Sequence, residues 1–216
     1  YFARLVVIDA SSDTLILEGD KDLAYTQLVN TRYYSPNFLL LAYTPSENLF
    51  SENTLQNIES ISSSLLKLDS VSSVTSILNV PILLSPPMKI AELLENIPNI
   101  KSEGIDLNLV KDEFINSPIY SDNLVSRDFK TTAIIISLRE DIKAIQLRDE
   151  RNELRQKQSQ KLLDKNDDKE LRILTNQYKK YQELSKIKNE KTIKNIRKII
   201  MPFQSKEVIF LGGLNM

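Results

Sequence analysis

The chain has 216 residues, 28 Lys plus Arg against 29 Asp plus Glu, and no Cys, His or Trp. Without thiol or imidazole it has no disulfide, no Cys/His zinc site, no Ser/His/Asp or Cys/His triad and no histidine switch. Catalysis would have to run on carboxylates, Lys, Tyr or Ser. An apolar fraction of 41% supports a real core, while runs such as Phe38 to Tyr43 fall far short of the roughly 20 residues that cross a bilayer.

The near-zero net charge hides two differently built parts. From Lys143 to Lys198 there are 17 basic and 9 acidic side chains, a surplus of 8; the remainder holds 11 basic and 20 acidic, a deficit of 9. Both termini read as cut. Tyr1 to Ile8 carries no initiator Met and no signal-peptide head, and the chain stops in mid-pattern after Phe210-Leu211-Gly212-Gly213. The expectation is an excised domain.

In chain order, residues 5–8 and 14–17 are short apolar runs, and Asp20 with Asp22 suits the start of a helix that runs to Tyr33 and stops at Ser35-Pro36. Asn37 to Thr44 is apolar almost throughout and reads as a buried strand. Ser51 then caps an amphipathic helix whose stripe is Leu55, Ile58, Ile61, Leu65 and Leu68. A second strand follows at Val71 to Leu78, and Pro81, Pro86 and Pro87 impose an extended segment. Met88 to Ile97 and Asp106 to Ile115 read as short helices, ended by Pro98 and by Asn116-Ser117-Pro118. Lys130 to Leu138 is a strand by its Thr and Ile content.

Lys143 to Ile200 has the composition of a long helix, without Gly or Pro. Asp164 to Asp168 is its one break, so a helical hairpin is expected, with a first arm roughly 33 Å long at 1.5 Å per residue. The second arm carries Leu171, Leu174, Tyr178, Tyr181, Leu184 or Ser185, and then Ile193, Ile196 and Ile200 on a heptad-like stripe, and the last strand is Glu207 to Leu211. Antiparallel pairing of the arms would bury Leu147, Leu154 and Leu162 against Leu171, Leu174, Tyr178 and Tyr181.

These elements predict an α+β fold: a ferredoxin-like split βαβ, with four antiparallel strands and two helices. It carries a helical insertion over 79–130 between its halves and a long antiparallel helical hairpin in the second crossover. The expected division is a body of 1–142 with 199–216 and a hairpin of 143–198.

The acids Asp13, Glu18, Asp20 and Asp22 lack the alternating ligand spacing of a calcium loop and read as capping and solvation. Four glycines, Gly19, Gly104, Gly212 and Gly213, build neither a nucleotide cradle nor a nucleophile elbow. No metal, no cofactor and no enzymatic role are expected. The basic hairpin interleaves its charges with acids, which favours a solvated coiled-coil surface that docks a protein over a nucleic-acid binder. Leu83, Leu84 and Met88, with Phe114, Ile119 and Tyr120, are candidates for lining an apolar groove; the alternative for them is a packed connector.

Several segments carry a resemblance. Asp9 to Leu23 (DASSDTLILEGDKDL) resembles the start of the first extracytoplasmic domain of bacterial resistance/nodulation/division (RND) exporters, in the branch related to MMPL lipid transporters. Val71 to Pro81 (VSSVTSILNVP), Ser85-Pro86-Pro87, Glu113 to Tyr120 (EFINSPIY) and Phe210 to Gly213 are similar to later parts of that domain, in the same order. The resemblance implies a porter domain facing the periplasm from the inner membrane, flanked by membrane helices that hold the proton relay. Its partners would be a sister porter domain, those helices and a hydrophobic or lipid-like substrate, with a periplasmic protein on the hairpin. The charged hairpin departs from the multidrug pumps, so none of their pocket positions is transferred. The alternative reading is a soluble scaffold presenting its coiled-coil arm to a partner; a carboxylate hydrolase is a more distant third.

Overall fold

The computed structural model describes residues 37–86, 97–160 and 162–213, together with Tyr25. The expected strands at 5–8 and 14–17, the helix from Asp20 and the acids around it lie outside these residues. So does the expected helix at 88–97, apart from Ile97. Among the described residues no helix is long and apolar enough to cross a membrane.

Strand β1 (Phe38–Thr44) leads through helix α1 (Glu52–Leu66) to β2 (Val71–Thr75). The insertion holds α2 (Leu107–Asn116) and returns to β3 (Thr132–Leu138). Helices α3 (Ile142–Ser159) and α4 (Lys165–Ile200) then precede β4 (Val208–Gly212). The sheet order is β2-β3-β1-β4, and every neighbouring pair is antiparallel. This is the predicted split βαβ sheet, with β1 and β3 in the centre.

Alternation in the strands sets the two faces of the sheet. Leu39, Leu41 and Tyr43 of β1, Ile134 and Ile136 of β3, and Ile209 of β4 point into the core, where Ile58, Ile61 and Leu65 of α1 and Ile196 and Ile200 of α4 meet them. Phe38, Val208 and Phe210 on the other face stay exposed. Ser51 caps α1 through a side-chain oxygen that accepts the Thr54 N–H at 3.2 Å, as the sequence indicates.

Two boundaries differ clearly from expectation. β2 ends at Thr75 rather than Leu78, because the Asn79 side chain closes a turn: its Oδ1 accepts the Ser76 N–H at 2.8 Å and its Nδ2 donates to the Val74 carbonyl at 2.7 Å. The break falls after Ser159 and before Lys165, and Asp164 to Asp168 is instead the cap and start of α4. Asp164 Oδ1 accepts the N–H groups of Asn166 and Asp167, both at 2.7 Å, and Asp167 and Asp168 occupy the first turn where the helix dipole favours acids. Leu162 is exposed, and Leu163 takes the place expected for it beside Leu154.

The chain forms two compact units, one of 36–142 with 179–216 and another that contains 143–178. The body thus reclaims α4 from Lys179 onward, well before 199, since Thr192, Ile196 and Ile200 are buried in it. In the other unit Leu154 packs with Leu171 and Leu174, flanked by Leu147 and Leu163. The Arg151 guanidinium lies 4.0 Å above the Tyr178 ring. Tyr181 belongs to the body unit, where its hydroxyl donates to Asp141 Oδ1 at 2.6 Å, and this bond first, with burial after it, raises the phenol pKa.

Candidate functional site

Helix α2 begins at Asp106, whose Oδ1 accepts the Asn108 N–H at 2.8 Å. Its buried face is Val110, Glu113 and Phe114. A carboxylate in an apolar stripe needs hydrogen-bond donors, and Glu113 finds them in the extended segment after Pro81. Both its oxygens lie 3.0 Å from the Leu83 N–H, and one also accepts the Leu84 N–H at 2.9 Å. The chain after α2 adds a second tie, as the Tyr120 hydroxyl donates to the Pro81 carbonyl at 2.6 Å. Ser85 Oγ accepts the Asp106 N–H at 2.8 Å, and the Ile82 N–H donates to the Pro98 carbonyl at 2.8 Å.

An aromatic group supports this clamp from within. Phe114 stacks edge-on to Tyr120 at 5.2 Å, and Phe50 lies 6.3 Å from Phe114 and 4.9 Å from Phe129. Phe129 sits at φ 54°, a conformation that costs energy for a bulky residue. It is held there by its buried ring and by Ser126, whose carbonyl accepts the Phe129 N–H at 2.8 Å and whose Oγ accepts the Thr131 N–H at 3.0 Å. Burial, and then the neighbouring Glu113 charge, raise the pKa of the Tyr120 phenol.

The candidate lining residues separate into two sets. Phe114 and Tyr120 are buried and belong to the clamp's interior. Leu83, Leu84 and Ile119 point outward, with 57%, 56% and 69% of their surfaces exposed. Met88 lies outside the described residues. The clamp therefore holds apolar side chains in water on a segment fixed by six hydrogen bonds. Such an arrangement offers apolar contact.

Glu113 and Ser85 were present in the sequence segments that carry the resemblance, but no role was read for them. The usable signal was an acid inside the α2 stripe Val110, Glu113, Phe114. Phe50, Phe129 and the loop between Ser121 and Thr131 gave no such signal, because a positive φ at Phe129 follows from packing at long range. Among the described residues no group of three or more Asp or Glu is placed to hold a metal ion.

The last of the resembling segments has a geometric role of its own. Gly212 pairs with Leu40 at the end of β4, and a Cβ on Gly213 would stand 2.6 Å from Leu39 Cδ2 and 3.2 Å from the Phe38 carbonyl oxygen. A side chain there would require the buried Leu39 side chain to turn and the Phe38 carbonyl to give by a few tenths of an ångström. No family model matches the chain, and no curated protein or solved structure matches it.

Proposed function

We propose that this chain is the periplasmic porter domain of an inner-membrane RND exporter of the MMPL-related branch, and that the clamp lines the path of a hydrophobic or lipid-like substrate. The observation that carries this reading is the convergence of three resembling segments. Val71 to Pro81 and the nearby Ser85-Pro86 are some 30 residues from Glu113 to Tyr120, yet Glu113 binds the Leu83 and Leu84 N–H groups between the first two and Tyr120 binds Pro81, with Leu83, Leu84 and Ile119 outward. The split βαβ sheet around them is a passive scaffold, in keeping with energy coupling elsewhere in a longer protein.

The test is efflux of a fluorescent lipophile by the intact membrane protein bearing Leu83→Asp, Leu84→Asp or Ile119→Asp. These exposed positions tolerate a charge for folding, so protein level is expected to hold while efflux falls. Unchanged efflux at equal protein level overturns the proposal.

A second reading, a scaffold that docks a partner through α4, is favoured by Leu184 and Ile187, both exposed and one helical turn apart. Loss of a bound protein in the Leu184→Asp/Ile187→Asp variant, with efflux intact, would support it.

A further inference from the structure

The last turn of α4 and the residues after it share a groove with β4, an edge strand of the described sheet. Between them runs an open groove of about 330 Å³, near the lower end of the roughly 300–1,000 Å³ typical of small-ligand sites. Its floor includes Ile200 and Ile209, which also belong to the core, and its lip includes Met201 and Phe210, exposed by 66% and 70%. Arg197 and Lys198 also line it, and neither is ion-paired among the described residues. The two sides are joined where the Gln204 Nε2 donates to the Ile209 carbonyl at 3.2 Å.

Cations in the last turn also suit the negative end of the helix dipole. That role explains the charges; it leaves two large apolar side chains in water beside them. Apolar floor, apolar lip and two cations on the lining together match a molecule with an alkyl chain and one anionic head.

We propose that this groove binds a monomeric single-chain amphiphile with a carboxylate head, the chain lying over Ile200 and Ile209 and the head meeting Arg197 and Lys198. The site is separate from the clamp, and its occupancy does not depend on the exporter reading.

The absence of Trp makes a direct reporter available. Phe210→Trp places a single indole on the lip of the 216-residue chain, and ω-bromoundecanoate quenches it if the alkyl chain enters. Saturable quenching is expected below the micelle concentration, with ω-bromoundecanol binding about tenfold more weakly, the worth of one charged contact at 1.4 kcal/mol per decade. Adding Arg197→Gln and Lys198→Gln reduces the acid to the affinity of the alcohol, and the charge-preserving pair Arg197→Lys and Lys198→Arg restores it. Equal affinities for acid and alcohol, an unchanged affinity in the Gln variant, or quenching only above the micelle concentration overturns the proposal.

Discussion

Glu113 shares the buried face of α2 with Val110 and Phe114, and its carboxyl oxygens find their hydrogen-bond donors in the N–H groups of Leu83 and Leu84. In Glu113→Leu those two donors lose their partner in a buried setting. The expected cost is on the order of 1–3 kcal/mol in urea unfolding, with faster amide exchange at Leu83 and Leu84 than elsewhere. Glu113→Gln keeps one acceptor and falls between parent and Leu variant. Tyr120, on the same clamp, gives a pH dependence. Burial and the Glu113 charge raise its pKa above 10.0, so at high pH the unfolded chain ionises first and binds fewer protons than the folded one. The contribution is complete below the unfolded value and is lost as pH rises through the folded one. The stability difference between the parent and Tyr120→Phe, compared at about pH 8 and about pH 11, should therefore shift toward the Phe variant at the higher pH. A difference independent of pH contradicts the assigned surroundings of this phenol. Gly213→Ala should cost about 1–3 kcal/mol, since its methyl group meets the Leu39 side chain, packed in the core, and presses on the Phe38 carbonyl.

Helix α4 combines two duties that one heptad-like stripe concealed. Its early residues Leu171 and Leu174 pack on Leu154, whereas Ile196 and Ile200 fill the core beneath the sheet. Between them Leu184 points to solvent, 63% exposed, although its spacing placed it on the stripe. Ile196→Ala should thus destabilise the body by about 2–5 kcal/mol, while Leu184→Ala stays within about 0.5 kcal/mol, both read from urea midpoints. Equal effects would mean that the helix packs along its whole length. The stripe predicted that α4 is apolar on one side, which was legible; where the partner changes along it was not, because periodicity carries no information about which surface meets it. Asp164 shows the same limit. The run Asp164-Lys165-Asn166-Asp167-Asp168 looked like an interruption, and its acids turned out to be a cap and a first turn, the two places in a helix where Asp stabilises rather than breaks.

At the scale of the molecule, the order of strands and helices among the described residues followed from apolar runs, Pro positions and the charge shift at Lys143. Those signals are local, and a split βαβ sheet needs little else. The clamp was legible only in part. Leu83, Leu84, Phe114, Ile119 and Tyr120 were selected as apolar and ambiguous, but their separation into buried supports and exposed contacts depends on hydrogen bonds spanning some 30 to 40 residues, such as Glu113 to Leu83 and Tyr120 to Pro81. The acidic body and basic arm explain how a net charge of −1 arises without describing either part. The central claim is that the clamp faces the periplasm within an exporter, and the lack of Cys in this chain allows it to be read at one atom. Ile119→Cys, 69% exposed as Ile in the parent, is treated in the intact membrane protein with a maleimide that cannot cross the inner membrane. The account predicts labelling in cells opened only at the outer membrane; labelling that requires rupture of the inner membrane contradicts it.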